Sequence, residues 1–493
     1  MHNLTYPEDP MYGLKLVGCL TSLVAVGGIC NALTVTVAPT TGVAGTAVTN
    51  SIADAITQIN AAADAANSVI LRSTEGVHAL TANTTIAPTA GKSIAFTAQS
   101  GQPIIKLQHT SGQYMLTLTP GATDTLTFSG IAFIPPAGLA YTNNVADGIR
   151  LNAGNYSFTN CIFSNNNGSD GVASQDASAN FVAGAPGNNV GDDWFTAVAL
   201  VNATWSNCSI TGCNDEVVVI ITAAASTRTL TFNQGTVIAN IGGAAVQFAN
   251  NNTAVIFDGS AGRCLIAKVG LGGGGADAGI KAFWDATCTL SLTNTDIADC
   301  ALAAISDFEG LDSISITDSR IALNNSSDST GVAGGGNFMI DDGSNDNNLS
   351  PEAVSITRST FHNARGTVNP VSFFVADGAA EPNVTFTIIN SIFSGAADTF
   401  DMLNPNSTGA VNKTFTAVVT AGPDAVGAVG DLGAGSISAD PQYVSYTYTI
   451  GRNQLNANFL KPSNPAYVTA NSTGGALLGG APVVASVNDY MIY

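Results

Sequence analysis

A six-residue unit that recurs along the chain constrains the fold more than any other feature of this sequence. Its clearest copy is Phe158-Thr-Asn-Cys-Ile-Phe163, in which an apolar residue, a polar bend and a second apolar segment follow one another. Further copies begin at Phe128, Trp205, Phe232, Leu292, Ile316, Ile356 and Ile388. The segments before the bend alternate apolar and small polar residues, which is the pattern of a half-buried strand. Each copy is therefore predicted to form a strand, a bend and a second strand.

The bend of the repeat carries Asn or Asp at one shared position. The residues at this position are Asn160, Asn207, Asn294, Asp318 and Asn390. Asn and Asp tolerate left-handed backbone angles and form hydrogen bonds to their neighbours. A further short apolar strand follows each copy, so equivalent residues are expected to stack about 4.8 Å apart on successive turns. The sequence predicts an all-β chain that folds as a right-handed parallel β-helix.

The domain organisation follows from the repeat, because a repeat array forms one elongated body whatever its length. We expect a signal peptide at 1–32, an N-terminal strand and capping helix at 33–75, the β-helix with loop insertions at 76–420, and a C-terminal capping or tail region at 421–493. The open end of a stack of strands exposes unpaired backbone and apolar interior, which is why a terminal cap is needed.

The capping helix is predicted from Ser51 to Ala66, with Ser51 as its N-cap. Its apolar face at helical spacing consists of Ile52, Ala55, Ile56, Ile59 and Ala63. The alternative is an ordinary surface helix with no capping role.

The amino terminus has the pattern of an export signal. Lys15 precedes an apolar run from Leu16 to Ile29, and Cys30-Asn-Ala32 offers small residues for cleavage, which places the mature start at Leu33. The run is shorter than the ~20 residues that a membrane span needs, although an uncleaved signal anchor is the alternative. We expect a secreted or cell-surface protein with no membrane span in its mature chain.

Removal of the signal leaves an even number of cysteines, and export permits disulfides. The six are Cys161, Cys208, Cys213, Cys264, Cys288 and Cys300. Two interpretations stay open, since these residues either form disulfides or lie as small buried side chains in a stacked column.

The charge balance excludes one class of partner. The chain has 35 acidic and 15 basic residues, and its formal net charge is −20. Such a surface repels a phosphate backbone, so nucleic acid is not expected to bind.

The repeats and the tail together resemble a known class of proteins. The segments that carry the resemblance are the endings "NCIFSNN" and "NSIFSG" of two repeats, the capping region around Ser51, Asp440-Pro-Gln-Tyr443, and Asn458 to Ala466. They resemble exported bacterial β-helix proteins of the pectate-lyase-like superfamily. This resemblance implies the parallel β-helix fold. The class includes polysaccharide lyases, hydrolases, adhesins and surface proteins, so the fold alone does not select a function.

Two groups of residues suggest carbohydrate chemistry. Asn294-Thr-Asp296 resembles the NTD triplet of polygalacturonases, with Asp341-Asp342 and His362 as its partners, although the Gly before that His and the later Arg-Ile-Lys element are missing. Trp194 and Phe195, in a long polar insertion, are candidates for contact with a sugar. No catalytic residue is assigned on this basis.

The favoured function is a non-enzymatic extracellular structural or adhesive protein, with itself or a surface polysaccharide as its partner. The segments Leu33–Val37 and Val487–Tyr493 are extended, apolar and without Lys, so we expect them to act as open edges that join subunits head to tail into fibres. The alternative function is a polysaccharide lyase, a glycoside hydrolase or a carbohydrate-binding β-helix. Whether the protein is an enzyme is left open.

A series of Asp and Asn residues follows the second strands of successive repeats and suggests calcium. The series is Asn202, Asn250, Asp285, Asp307, Asp341, Asp377 and Asn404. Two carboxylates stacked at about 4.8 Å repel by roughly 3 kcal/mol at an effective dielectric of about 20. Calcium would bridge them, and Asp342 and Asp346 add further oxygen ligands. The alternative is that these residues only form turns and need no ion.

Overall fold

The structure of the protein is a computed structural model. It describes residues 32–39, 48–49, 51–73, 77–80, 84–107, 114–134, 148–164, 193–198, 201–213, 215–220, 227–248, 252–270, 278–283, 288–308, 311–324, 337–341, 353–362, 371–376, 385–394, 398–401, 412–416, 419–421, 437–438, 443, 445 and 459–463. One helix and many short strands make up its regular structure.

The first elements in chain order are β1 (Thr34–Val37), β2 (Val48–Thr49), α1 (Ile52–Ala61), β3 (Ala66–Leu71), β4 (His78–Ala79), β5 (Thr84–Ile86), β6 (Ser93–Ala98), β7 (Ile104–Lys106), β8 (Leu116–Leu118), β9 (Thr125–Ser129), β10 (Ala132–Ile134), β11 (Ile149–Leu151), β12 (Gly154–Thr159) and β13 (Ile162–Phe163). The next are β14 (Phe195–Ala197), β15 (Val201–Ser206), β16 (Ser209–Thr211), β17 (Val218–Ile220), β18 (Arg228–Asn233), β19 (Val237–Ala239), β20 (Val246–Phe248), β21 (Thr253–Asp258), β22 (Cys264–Ala267), β23 (Ile280–Phe283), β24 (Cys288–Thr293), β25 (Thr295–Ala298) and β26 (Ile305–Phe308). The last are β27 (Leu311–Thr317), β28 (Arg320–Ala322), β29 (Phe338–Asp341), β30 (Ala353–Thr357), β31 (Thr360–His362), β32 (Val371–Ala376), β33 (Thr385–Ile389), β34 (Ile392–Ser394), β35 (Asp398–Asp401), β36 (Asn412–Thr416), β37 (Val419–Ala421) and β38 (Ile437–Ser438).

These strands form three sheets through which the chain passes in turn. Sheet A has 14 strands in the order β2-β1-β3-β6 and then every third strand to β36. Sheet B has 13 strands between β4 and β38, and sheet C has 11 between β5 and β35. The pairing of neighbouring strands is parallel in all three sheets, as between β9 and β12, β10 and β13, and β11 and β14. The predicted parallel β-helix is confirmed.

Helix α1 lies beside the first turn of sheet A, as expected for a cap. Ser51 Oγ accepts a hydrogen bond of 3.0 Å from the backbone N–H of Asp54, and the apolar face from Ile52 to Ile59 is buried. The predicted length was wrong, since the helix ends at Ala61 and Ala62 has extended angles. The Nζ of Lys92 donates to the carbonyls of Ile59 and Ala62, which satisfies the C-terminal end. Among the described residues, no helix is long and apolar enough to cross a bilayer.

Strand β1 is not the open edge on which the prediction of head-to-tail assembly depended. Thr36 and Val37 pair with β2 on one side and with β3 on the other. Parallel pairing on both sides satisfies the backbone groups that a docking subunit would use. The second predicted edge, Val487–Tyr493, lies outside the described residues. Self-assembly therefore stays a prediction that has lost part of its basis.

A column of aromatic rings fills the interior on the sheet A side. Ring centroids lie 4.7 Å apart between Phe96 and Phe128, 5.3 Å between Phe128 and Phe158, and 5.7 Å between Phe158 and Trp205, with nearly parallel planes. Phe232 extends the column at 4.6 Å from Trp205. These side chains occupy the same inward position of successive strands, so the parallel register itself brings the rings into stacking distance.

The bends between sheets A and B have the predicted left-handed backbone. The φ angles of Asn160, Asn207, Asn294, Asp318 and Asn390 lie between 47° and 54°. Asn207 Nδ2 donates to Asn160 Oδ1 at 2.7 Å, which links one turn to the next. Because Asn and Asp reach these angles at low cost, the bend position selects them.

The six cysteines are buried thiols, and no disulfide joins any of them. The interpretation as disulfides was wrong, and that as small side chains of a stacked column is confirmed for those beside the bends. Cys208 lies in a column with hydroxyl residues, since its N–H donates to Thr236 Oγ1 at 3.3 Å. Further along, the N–H of Thr295 donates to Ser319 Oγ at 3.1 Å in the same manner. Burial raises the pKa of Cys264 to about 12, which keeps this thiol protonated.

We expect Phe158→Ala to lower the free energy of unfolding by about 3–5 kcal/mol, because it removes a ring from the middle of the aromatic column and leaves a cavity. Ser157→Ala, on the outer side of the same strand, should change it by less than about 0.5 kcal/mol. Urea unfolding followed by circular dichroism measures both. An equal decrease in the free energy of unfolding in both variants would contradict the assignment of Phe158 to the interior and Ser157 to the outer face of β12.

In the chain that begins at Leu33, the six thiols of the native protein should not react with a thiol reagent, because all six are buried. After denaturation without any reductant, all of them should react. Quantitative thiol titration before and after denaturation checks this. Thiols that stay unreactive in denaturant, and appear only after reduction, would show that disulfides exist.

Candidate functional site

Trp194 and Phe195 do not form a surface for sugar contact, and that prediction was wrong. Both are 0% exposed. Trp194 Nε1 donates to the Thr211 carbonyl at 2.7 Å, and the ring of Phe195 lies 4.9 Å from that of Phe163. Phe195 begins strand β14 rather than ending a polar loop. The apolar run that follows it in the sequence was the signal that these rings belong to the interior.

The predicted column of Asp carboxylates does not have the expected register. Asp307 pairs with Ala282 on one side and with Ile340 on the other, while Asp341 pairs with Ala376. Asp307 and Asp341 are thus offset by one residue in the register of sheet C. Asp285, Asp342, Asp346 and Asp377 lie outside the described residues. Calcium binding at these residues stays a prediction.

Asp296, the acid of the polygalacturonase-like triplet, is enclosed between two arginines. Its Oδ1 accepts from Arg263 Nη1 at 2.8 Å and from Arg320 Nε at 2.7 Å, and Arg320 Nη2 lies 2.5 Å from its Oδ2. Burial lowers the pKa of Arg263, and the Asp296 carboxylate opposes that shift. Asp296 is 2% exposed, so it cannot meet a substrate in this structure. The catalytic interpretation of this triplet was wrong.

A C-terminal segment, consisting of residues 443, 445 and 459–463, lies against sheet B beside this cluster. Arg320 Nη1 donates to the Phe459 carbonyl, and its guanidinium lies 5.3 Å from the centre of the Phe459 ring. His362 Nδ1 lies 2.8 Å from Ser394 Oγ, which is 2.8 Å from the Tyr443 hydroxyl. Burial lowers the pKa of His362 to about 4. Asp296, through Arg320, and His362, through Ser394, therefore serve to hold this C-terminal segment on the coil.

Three carboxylates lie together where the chain enters sheet C. Asp193 precedes β14, Asp215 and Glu216 precede β17, and their oxygens all lie within 4.8 Å of one another. Asp193 Oδ1 accepts the Glu216 N–H at 3.0 Å. Burial and then the charges of this cluster raise the pKa of the neighbouring Cys213. The oxygen-only set suits a cation such as calcium. Sequence reasoning missed this cluster, because only the pairing of β14 with β17 brings its two parts together.

The outer face of sheet C carries a row of mostly polar side chains. The outward positions in register are Thr85, Thr117, Arg150, Thr196, Val219, Gln247, Lys281 and Ser306. Thr196, Val219 and Ser306 are buried, and the other five side chains are exposed or half-buried. Arg150 is the best-defined member, since Nε donates to Asn152 Oδ1 at 3.0 Å and its guanidinium lies 4.9 Å from the centre of the Tyr114 ring. Asn152 Nδ2 in turn donates to Thr119 Oγ1 at 2.8 Å. The geometry holds one half-buried cation at a fixed place on this face.

The described residues use only part of the donor capacity of Arg150. Within the part of the chain that the structure describes, its two terminal nitrogens make no hydrogen bond, and only Nε is engaged. A guanidinium offers its donors in a planar fork that matches a carboxylate or a pair of hydroxyls. This position of Arg150 could not be predicted from the sequence, because Ile-Arg-Leu is an ordinary strand pattern and the partners of Arg150 come from the previous turn as well as its own.

Comparison with solved structures finds two lyases and one epimerase. The crystal structure of pectate lyase Pel9A has a TM-score of 0.40 and 11% identity, over 92% of this chain and 97% of that chain. The A-module of Azotobacter vinelandii mannuronan C-5 epimerase AlgE6 has a TM-score of 0.40 and 12% identity, over 73% and 93%. The PL6 family alginate lyase AlyGC has a TM-score of 0.40 and 11% identity, over 88% of this chain and 58% of that chain. No family model and no curated protein matches the sequence. Likeness at this level transfers no activity or ligand to this chain.

The burial of His362 predicts that the protein loses stability in mild acid. Its folded pKa of about 4 lies below the ordinary value of 6.5, so the unfolded state binds a proton first as pH falls. The contribution of neutral His362 is complete above about pH 6.5 and is lost progressively toward pH 4, on the order of 2 kcal/mol.

Urea midpoints at pH 7.5 and 4.5 test this expectation. The wild type should lose more stability between the two values than His362→Gln, whose side chain cannot titrate. An identical pH dependence in both proteins would contradict the assignment of a buried neutral His362.

Proposed function

We propose that this protein is an exported polysaccharide-binding β-helix that holds an acidic polysaccharide along the outer face of sheet C. The observation that carries the proposal is Arg150, which Asn152 and Tyr114 hold in place and whose terminal nitrogens make no hydrogen bond to the described residues. This function joins the adhesive role expected from the sequence with the carbohydrate-binding alternative.

The spacing of the row favours an extended, repeating ligand. Successive turns lie about 4.8 Å apart, so Arg150 and Lys281, four turns apart in register, are separated by roughly 19 Å. Thr117 and Gln247 are half-buried polar side chains in the same row. The accessible members of the row lie on either side of the buried Thr196 and Val219. A polymer with hydroxyls and carboxylates along its length would contact both groups, and weak contacts add when they belong to one chain.

The charge of the whole protein does not prevent this binding. Its net charge of −20 repels a polyanion at long range. At physiological ionic strength, charges more than about 8 Å apart are largely screened, so the local cations decide the contact. A charge-assisted hydrogen bond from a guanidinium contributes about 1.5–3 kcal/mol.

Arg150→Gln should weaken binding to an acidic polysaccharide by about tenfold to a hundredfold, from the loss of that contact. Affinity electrophoresis in gels containing polygalacturonate or alginate measures the change, with a neutral glucan gel as the reference. Arg358→Gln is the matched control, because it removes the same charge from the bend between sheets A and B, where Arg358 pairs with Asp318 at 2.7 Å.

The proposal is wrong if the wild type is not retarded by either acidic polysaccharide, or if Arg150→Gln is retarded as strongly as the wild type. Reducing ends and unsaturated ends are measured in the same mixtures. Their release by the wild type would show that binding is followed by cleavage of the polysaccharide. The protein would then be an enzyme and not only a binding protein.

A further inference from the structure

The outer face of sheet A carries side chains in three straight columns. The strands from β9 to β33 pair without a shift at these positions, so that outward residues superpose from turn to turn. The middle column is Thr127, Ser157, Thr204, Thr231, Ile256, Ser291, Ser315, Ser355 and Thr387. Every member except Ile256 has a hydroxyl group.

The two flanking columns have a similar composition. One is Thr125, Asn155, Asn202, Thr229, Ala254, Thr289, Ser313, Ala353 and Thr385, and the other is Ser129, Thr159, Ser206, Asn233, Asp258, Thr293, Thr317, Thr357 and Ile389. Asp258 is the sole ionisable residue in the three columns. We call these columns together the hydroxyl face.

The hydroxyl face is a two-dimensional lattice. Equivalent residues repeat about every 4.8 Å along the coil, and outward residues repeat about every 6.6 Å along each strand. The register shift between Cys288 and Thr289 leaves the lattice intact, because Thr289 pairs with Ser313 and the columns continue. Thr289, Ser315 and Ser355 are exposed, and most other members are half-buried by their neighbours in the array.

The positions of these hydroxyls are fixed before any ligand arrives. Thr is β-branched and has few χ1 rotamers, so its hydroxyl and methyl groups keep a narrow range of directions. The backbone beneath is held by the inward residues of the same strands, among them the stacked Phe128, Phe158, Trp205 and Phe232. A prearranged surface loses little conformational entropy on binding.

The hydroxyl face has far fewer charged residues than the solvent-exposed surface of a typical protein. Charged residues are 10% of the chain, against about 25% in typical proteins, and Asp258 is the one charged residue in the three columns. A neutral hydroxyl gains little by exchanging one water partner for another. Only a ligand that repeats together with the lattice can add many such small gains.

We propose that the hydroxyl face binds the surface of ice crystals. Ice is a rigid lattice of hydroxyl donors and acceptors, and a Thr or Ser hydroxyl can take the place of a water molecule in it by donating and accepting. Waters held between neighbouring hydroxyls are ordered at a cost of about 0–2 kcal/mol each, which a rigid array keeps low. A crystalline polysaccharide is a less suitable occupant, since sugars stack on aromatic rings and the three columns contain none.

The test uses the full chain and measures thermal hysteresis and incorporation into a growing ice hemisphere. The wild type should shape ice crystals and enter the ice, whereas Thr204→Tyr with Thr231→Tyr in the middle column should reduce both signals to those of a non-binding protein. Thr57→Tyr, at an exposed Thr of helix α1, is the control and should keep full ice-binding activity. Circular dichroism establishes that each variant retains its β structure.

If the tyrosine pair does not fold, Thr204→Lys with Thr231→Lys replaces it, and loss of ice binding is again expected. Absence of hysteresis and of incorporation in the wild type would overturn the proposal, as would full activity in a folded middle-column variant. A wild type that sediments with microcrystalline cellulose but does not enter ice would overturn it in favour of a polysaccharide surface. Arg150→Gln lies on sheet C, so the loss of polysaccharide binding in that variant leaves the ice-binding result unaffected.

Discussion

The in-register stacking of parallel strands is the constraint on which the rest of this structure depends. With each turn about 4.8 Å from the next, a residue meets its own counterparts above and below, and side chains of one kind form continuous columns. Inside the coil the columns are aromatic rings and small hydroxyls or thiols. At the bends they are left-handed Asn and Asp residues. A change at one level of a column alters the packing of two neighbours, which makes the register strongly specified.

The in-register stacking also determines which side chains line the outer face of each sheet. Alternation along a strand places one set of residues in the core and the next outside, so every sheet has an outward face that is as regular as the interior. Sheet A presents uncharged hydroxyls, sheet C presents a polar row with Arg150 and Lys281, and sheet B is covered in part by the C-terminal segment. The buried Arg263 and Arg320 lie beside that segment and neutralise Asp296. Their removal would leave the Asp296 carboxylate uncompensated in the interior.

Features that repeat along the chain could be predicted from the sequence, whereas contacts that occur only once could not. The alternating segments, the Asn bends and the Ser51 cap are local patterns, and the structure has them where they were predicted. The Asp column failed because a count of residues after each strand cannot detect an offset of one, and such an offset separates Asp307 from Asp341. Trp194 and Phe195 were placed outside because a long polar insertion precedes them.

The elements of the candidate sites are distant in sequence and adjacent only through the coil. Asp193 meets Asp215 and Glu216 across one turn, and Arg320 meets Phe459 across 139 residues. No local pattern contains these pairings. They follow from the register, together with the path of a chain terminus that carries no repeat.

The register of sheet A is therefore the most direct test of the account, and engineered disulfides measure it. Thr204 and Thr231 are paired, and paired Cα atoms of neighbouring parallel strands lie about 4.8 Å apart, within the range for a disulfide. Under mild oxidation, Thr204→Cys with Thr231→Cys should form a cross-link, detected by mass spectrometry after proteolysis. Thr204→Cys with Thr229→Cys, two residues out of register, should not. Cross-linking of the second pair but not the first would contradict the stacking from which both faces of the protein are derived.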